Sequence, residues 1–355
     1  MEIQYTNARK ISDFGEIRLL SEILLEDVVG KKNDKNDDCA HLYVFGERLL
    51  WSIDPCPTPV AHWFGLDSPE VWGCYTATIN LSDIAASGGT PIGMLVSLEM
   101  PDDTPVSFLK DFQFGLISTL RAAGANLLGG NVKSANKFCA TGTIIGYGGE
   151  KDITRSLSCS NGTVYLVGDT GDFWTAVVGN CFGWGGLSAG NQIKLNKALC
   201  FPNAQTEAGQ ILGKLPFELA CMDCSDGPAN ALYQIARINS LDINISIKTD
   251  WQLKPEYIRL LNENNISMEN ACYQFGDWQL LCVIPSRECN SFEKALDKFT
   301  VTKIGSATQG SGSVSHEDGR CLMESSLNQN FSDGYNSINS IEELISRFMR
   351  TPVFR

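Results

Sequence analysis

Asn80-Leu81-Ser82-Asp83-Ile84-Ala85-Ala86-Ser87-Gly88-Gly89-Thr90-Pro91 is the stretch around which the chain is organised. Ile84, Ala85 and Ala86 are apolar and can pack tightly, and Gly88, Gly89 and Pro91 end whatever precedes them. In front stand an amide, a hydroxyl and a carboxylate: Asn80, Ser82 and Asp83. Two readings follow. Asn80 or Ser82 caps a helix, a position where such residues lead, or the oxygens hold a hard cation. Recurrence favours the second, since Asp37-Asp38, Asp54 and Asp223-Cys224-Ser225-Asp226 are similar acidic knots.

At 355 residues the chain has room for about two domains and a sizeable core. Its 43% hydrophobic and 19% charged content reads as soluble and globular. A formal net charge of -13 argues against non-specific binding to nucleic acid or to an anionic membrane. The same charge opposes a phosphate substrate: two unit charges about 4 Å apart interact by roughly 4 kcal/mol at an effective dielectric of about 20. Magnesium reverses that sign. Residues 1–10 lack the apolar core of a signal peptide, and no apolar run approaches the roughly 18 residues of a membrane span. Thirteen cysteines without framework spacing read as reduced and mostly buried, so a cytoplasmic protein is expected. Cys221-Met222-Asp223-Cys224 is a lone CxxC with no histidine nearby, and packing is preferred over zinc or redox chemistry.

Taken in order, residues 11–29 keep a helical period through Phe14, Ile17, Leu20, Leu24 and Val28. A polar loop delivers Asp37-Asp38, either a solvated turn or part of an ion site, to a strand at 40–45. A second strand at 48–53 ends at Asp54. The Pro-rich, aromatic segment 56–72 reads as an ordered loop, where His62 either contacts a ligand or packs. Strands are expected at 94–98, 126–131 and 138–148, with a helix after Thr104-Pro105. Residues 155–162 read as a connector. Further strands are expected at 163–167, 243–247, 279–284 and 301–304, and residues 217–222 run apolar into Asp223. Helices are expected after Asp172 and at 204–212, 229–238, 291–299 and 341–349, with a mobile glycine-rich loop at 179–190 and a flexible turn at 309–314. The alternation indicates an α/β (α+β) chain with a boundary near residues 150–160.

No GxxxxGK[ST] P-loop occurs, nor GxGxxG after a strand. Only His41, His62 and His316 could supply imidazole, so the abundant Asp, Asn and Ser oxygens point to Mg²⁺ rather than zinc. In order and spacing, Asp37-Asp38-Cys39-Ala40, Ile53-Asp54, Asn80 through Pro91, Leu128-Gly129-Gly130-Asn131, Arg155-Ser156, Gly171-Asp172, Met222 through Gly227, Gly276 through Leu281 and Gly334-Tyr335 resemble thiamine-monophosphate kinase. That family sits in a superfamily with aminoimidazole ribonucleotide synthetase, selenophosphate synthetase and a hydrogenase maturation protein. The resemblance covers roughly residues 13–338.

The resemblance implies a two-domain synthetase-superfamily fold. An N-terminal dimerising sheet domain, 1–153, would bind ATP and Mg²⁺. A C-terminal α/β domain, 154–338, and a tail helix, 339–355, would follow. It further implies a homodimer, a small-molecule phosphoryl acceptor, and neither nucleic acid nor membrane as partner. Asp37, Asp38, Asp54, Asp83 and Asp226 would be metal ligands, with Asp223, Ser225 and Asn80 supporting the ATP site. Arg155 and the Gly129-Gly130-Asn131 turn would contact phosphates, and Asp83, Asp226 and Arg155 would carry catalysis. His62, Asp277, Trp278 and Tyr335 would face the acceptor. The departures are Asn36 for Gly, Asn131-Val132 for Asp-Thr, Pro228 for Leu, Gln274-Phe275 with Trp278-Gln279 for an acidic run, and Asn336 in the last motif. They support ATP and Mg²⁺ more firmly than the acceptor. The expected activity is transfer of the ATP γ-phosphoryl group to thiamine monophosphate or another small acceptor. The alternatives are synthetase-type activation of an amide or carboxylate oxygen, and a nucleotide-binding relative without catalysis.

Overall fold

The computed structural model describes residues 37–246, 253–324, 327 and 334–355. The expected helix at 11–29, the loop before Asp37 and the departure at Asn36 lie outside the described residues. Alternating apolar residues build a first, five-stranded sheet from β1 (Ala40–Val44), β2 (Glu47–Pro55), β3 (Thr90–Met100), β4 (Asn126–Ser134) and β5 (Cys139–Tyr147). Its order is β1-β2-β5-β3-β4. Only β3 and β4 run parallel, because helix α2 (Val106–Ala122) connects them as a crossover. On β2 the side chains of Leu50 and Ser52 turn inward while Trp51 and Ile53 face out, and β5 alternates in step.

Helix α1 (Pro69–Ala86) lies on the inner face, and it corrects two sequence expectations. The 56–72 segment is not all loop: a 3₁₀ turn occupies Val60–Phe64 and α1 begins at Pro69. Asn80 and Ser82 do not cap a helix; they sit within α1, fully buried. Fourteen of its 18 residues are buried, so no polar stripe betrays it. Two glycines set how closely α2 crosses it. A Cβ on Gly73 would stand 2.0 Å from the Phe112 carbonyl oxygen, and one on Gly115 2.0 Å from that of Glu70.

The second sheet has the order β11-β8-β10-β6-β9-β7, from β6 (Asn161–Val167), β7 (Ala220–Asp223), β8 (Leu241–Ile245), β9 (Leu280–Pro285), β10 (Val301–Gln309) and β11 (Val314–His316). All neighbours are antiparallel except β11 and β8. The helices are α3 (Asp172–Phe182), α4 (Ala189–Cys200), α5 (Thr206–Leu212), α6 (Pro228–Asn239), α7 (Pro255–Glu263), α8 (Met268–Tyr273) and α9 (Cys289–Ala295). The glycine-rich loop is shorter than expected, because α3 runs to Phe182 and α4 starts at Ala189. Helix α10 (Ile341–Leu344) continues as a π-helical turn, Ile345–Arg350. Helix α1 also reaches this half: a Cβ on Gly209 of α5 would lie 2.4 Å from the Ala85 carbonyl oxygen. Among the described residues no helix is long and apolar enough to cross a membrane.

Candidate functional site

A cavity of about 560 Å³ opens between the two sheets. Asp37, Asp38, Asp54, Asp83, Asp223 and Asp226 line it together with the aromatic side chains of Tyr75, Phe173, Phe275, Trp278 and Tyr335. Among the described lining residues Arg155 is the one Lys or Arg.

Each carboxylate arrives on a different element. Asp38 precedes β1, Asp54 ends β2, Asp83 stands in the last turn but one of α1, and Asp223 ends β7. Carboxylate oxygens of Asp38, Asp83 and Asp223 lie within 4.8 Å of one another. Hydroxyls and amides fix them. Ser52 Oγ donates to Asp83, Ser82 Oγ to Asp223 at 2.7 Å, and Ser225 Oγ to Asp223 at 3.0 Å. Asn80 holds the Asp54 backbone from both sides: Oδ1 accepts from its N–H at 3.3 Å and Nδ2 donates to its carbonyl at 3.4 Å. That reach needs a glycine opposite, since a Cβ on Gly142 would fall 2.6 Å from the Asn80 amide nitrogen. Arg155 Nη2 donates to Asp38 at 2.6 Å, the Arg155 N–H donates to Asp37 at 2.8 Å, and Asn230 Nδ2 donates to Asp226 at 3.3 Å.

The electrostatics match this crowding. At an effective dielectric of about 20, two carboxylates about 5 Å apart repel by roughly 3 kcal/mol. Burial, then Asp54 and Asp223, pushes the Asp83 pKa well above the usual carboxylate range. Burial, then Asp38, raises Asp223 to about 7, against the pull of Ser82, Arg155 and Ser225. Burial works against the charge on Arg155, yet Asp38 outweighs it and the guanidinium stays protonated.

The geometry reassigns several sequence expectations. Asp223, expected only to support, belongs to the tightest carboxylate group, whereas Asp37 braces the Arg155 backbone. Gly129, Gly130 and Asn131 form no turn at the cavity; they lie on β4, an exposed edge strand outside its lining. His62 is also outside the lining and exposed, with Nδ1 2.7 Å from Asp67. Asp277 turns away to accept from the Gly171 and Phe173 N–H groups at 2.5 and 2.8 Å, capping α3, and burial raises its pKa to about 7. Trp278 and Tyr335 do line the cavity. The string Gly186-Leu187-Ser188-Ala189-Gly190 has nucleophile-elbow spacing, but Ser188 Oγ caps α4 by accepting from Asn191 N–H at 3.3 Å.

Sequence reading missed Ser52, Asn230 and the aromatic residues Tyr75, Phe173 and Phe275 of the lining. Period-two alternation on β2 places Ser52 beside Asp54, a usable signal. Tyr75, Phe173 and Phe275 carry none, because apolar residues in apolar runs read as core.

Residues 36–147 match the family described as AIR synthase related protein, N-terminal domain. A thiamine-monophosphate kinase of Aquifex aeolicus is 26% identical over 320 residues, spanning 86% of this chain and 94% of that protein. The solved complex "AaThiL complexed with AMPPCP and TMP" superposes with a TM-score of 0.76 at 24% identity, covering 92% of this chain and 100% of that one. Hydrogenase maturation protein HypE in complex with ATP shares the fold at a TM-score of 0.61 and 16% identity, over 86% of this chain and 94% of that one.

Proposed function

We infer that this chain, which belongs to the AIR synthase and selenophosphate synthetase superfamily, is an ATP-dependent phosphotransferase of the thiamine-monophosphate kinase type. It moves the γ-phosphoryl group of ATP onto thiamine monophosphate. The observation that carries this reading is the close Asp38, Asp83 and Asp223 group in a cavity that aromatic side chains also line. Three carboxylates at that spacing repel one another and any phosphate, so they call for a cation. Their oxygen donors suit a hard ion, and Mg²⁺ is the ion proposed. Asp38, Asp83 and Asp223 would hold it, with Asp54 and Asp226 at the rim. When bound, Mg²⁺ neutralises phosphate charge and makes phosphoryl transfer electrostatically feasible.

The chain's own residues supply positioning. Ser52, Ser82 and Ser225 hold their carboxylates in fixed orientations. Arg155, anchored by Asp38, keeps one fixed positive charge beside the carboxylate group. The aromatic lining suits a flat ring, and the acidic surroundings suit a ring with positive charge. The acidic residues lost from the family pattern fall elsewhere: Asn131 is on β4, and Gln279 Nε2 donates to Thr170 at 3.1 Å. They therefore do not weaken the carboxylate group of this protomer.

The outer face of the first sheet exposes Leu42, Trp51, Ile53, Leu95 and Tyr147, an apolar surface suited to a second copy of the chain. A cytoplasmic homodimer is the proposed working form. The test of function is ³¹P NMR of the protein with Mg²⁺, ATP and thiamine monophosphate. New diphosphate resonances with ADP are expected, and Asp83→Asn should slow their appearance by about 10²-fold or more. Persistence of ATP with the wild-type protein would sink the acceptor.

A further inference from the structure

Part of the cavity's aromatic lining is backed by the C-terminal tail. Phe275 and Tyr335 line the cavity, with ring centroids 5.4 Å apart. Behind Phe275 stand Phe348 and Trp174, at 5.0 and 5.2 Å, and neither is a lining residue. The Trp174 indole N–H donates to the Phe275 carbonyl at 2.6 Å. Phe348, 2% exposed, belongs to the π-helical turn that continues α10. Arg347 on that turn donates from Nη1 to Ser337 Oγ at 2.8 Å and from Nη2 to Glu343 at 3.2 Å. Ser337 ends the short 3₁₀ turn that Tyr335 begins, and the Tyr335 hydroxyl donates across the cavity mouth to the Thr58 carbonyl at 2.7 Å. The tail is itself pinned. Asn270 Nδ2 donates to the Thr351 carbonyl at 2.7 Å, and Cys321 and Arg355 exchange backbone bonds of 2.7 and 2.9 Å.

We propose that residues 341–355 are a positioning element for the acceptor: Phe348 sets the Phe275 ring, Arg347 sets the turn carrying Tyr335, and together they fix the width of the slot that takes the acceptor's planar ring. This rests on the phosphotransferase reading above. The aspartates come from the segment before β1 and from α1, β2 and β7, not from residues 341–355. Acceptor binding therefore responds to the tail while nucleotide binding does not.

The experiment compares the full-length wild type with Arg347→Ala and Phe348→Leu, each shown to be folded by its melting temperature. Two readouts are taken: hydrogen exchange of peptides covering 273–278 and 334–338, and steady-state kinetics. Faster exchange in both peptides is expected, with the KM for thiamine monophosphate raised by about tenfold and kcat and the KM for ATP within about twofold. Unchanged exchange overturns the proposal whatever the acceptor is. So does faster exchange with an unchanged acceptor KM, or a KM for ATP that rises in step. If the wild type turns over ATP with no thiamine monophosphate product, the acceptor assignment falls, and exchange alone then decides whether the tail holds the wall.

Discussion

Asp223 shows how one residue can oppose stability and serve chemistry. It is 2% exposed, beside Asp38 and Asp83, with its pKa raised from 3.8 to about 7. Its carboxyl binds a proton in the folded chain that it has lost in the unfolded one across that window. The ion-free protein should therefore lose stability as pH rises from about 4 to about 7 and stay penalised above it. Mg²⁺ should restore what is lost. Asp223→Asn should raise the stability of the ion-free protein at pH 8 by on the order of 1–3 kcal/mol, remove most of the Mg²⁺ response, and abolish phosphoryl transfer. Thermal melts at several pH values, with and without Mg²⁺, check this; an unchanged melting temperature for Asp223→Asn at pH 8 contradicts it. The acidic half of the site was legible because a carboxylate announces its chemistry by type. Of the aromatic lining, Trp278 and Tyr335 were expected from the resemblance, but Phe275 inside Tyr273-Gln274-Phe275-Gly276 looks like any core residue until Tyr335 arrives from far along the chain.

Helix α1 is the element on which both halves of the molecule pack. It meets α2 on one side, and β2 and β5 on another, and touches α5 and β7 of the second half. A helix surrounded in this way has no exposed stripe, and that is why its start, Pro69 to Trp72, read as loop while β2 and β5 were found by alternation. The α1–α2 crossing depends on Gly73 and Gly115, because each would drive a Cβ into the partner's backbone. Gly115→Ala should cost roughly 1–3 kcal/mol by overpacking, although the substitution favours helix locally. Chemical denaturation measures this, and a gain in stability would falsify the close-crossing account. Edge strand β4 had the opposite history. Its glycines read as a phosphate-binding turn, but the backbone stays extended because Gly130 must pass 2.2 Å, by a notional Cβ, from the Val96 carbonyl.

For the whole molecule, the outer face of the first sheet places Leu42, Trp51, Ile53, Leu95 and Tyr147 on one surface while the inner face packs on α1. If the proposed homodimer forms through this face, Leu95→Asp should convert it to monomers, read by light scattering after gel filtration; an unaltered mass would remove this face as the interface. The mixed α/β class was readable from the alternation of strands and helices. How the halves meet was not, since Ser82 and Asp223 stand 141 positions apart and no local pattern links them. That separation has a consequence during biosynthesis. At roughly 5–20 residues per second, about 7–30 s of translation separates Ser82 from Asp223. Once Tyr147 has been added the first half is complete, but the underside of α1 stays bare until α5 and β7 follow, and the newborn protein cannot assemble its carboxylate group until the β7 strand has left the exit tunnel.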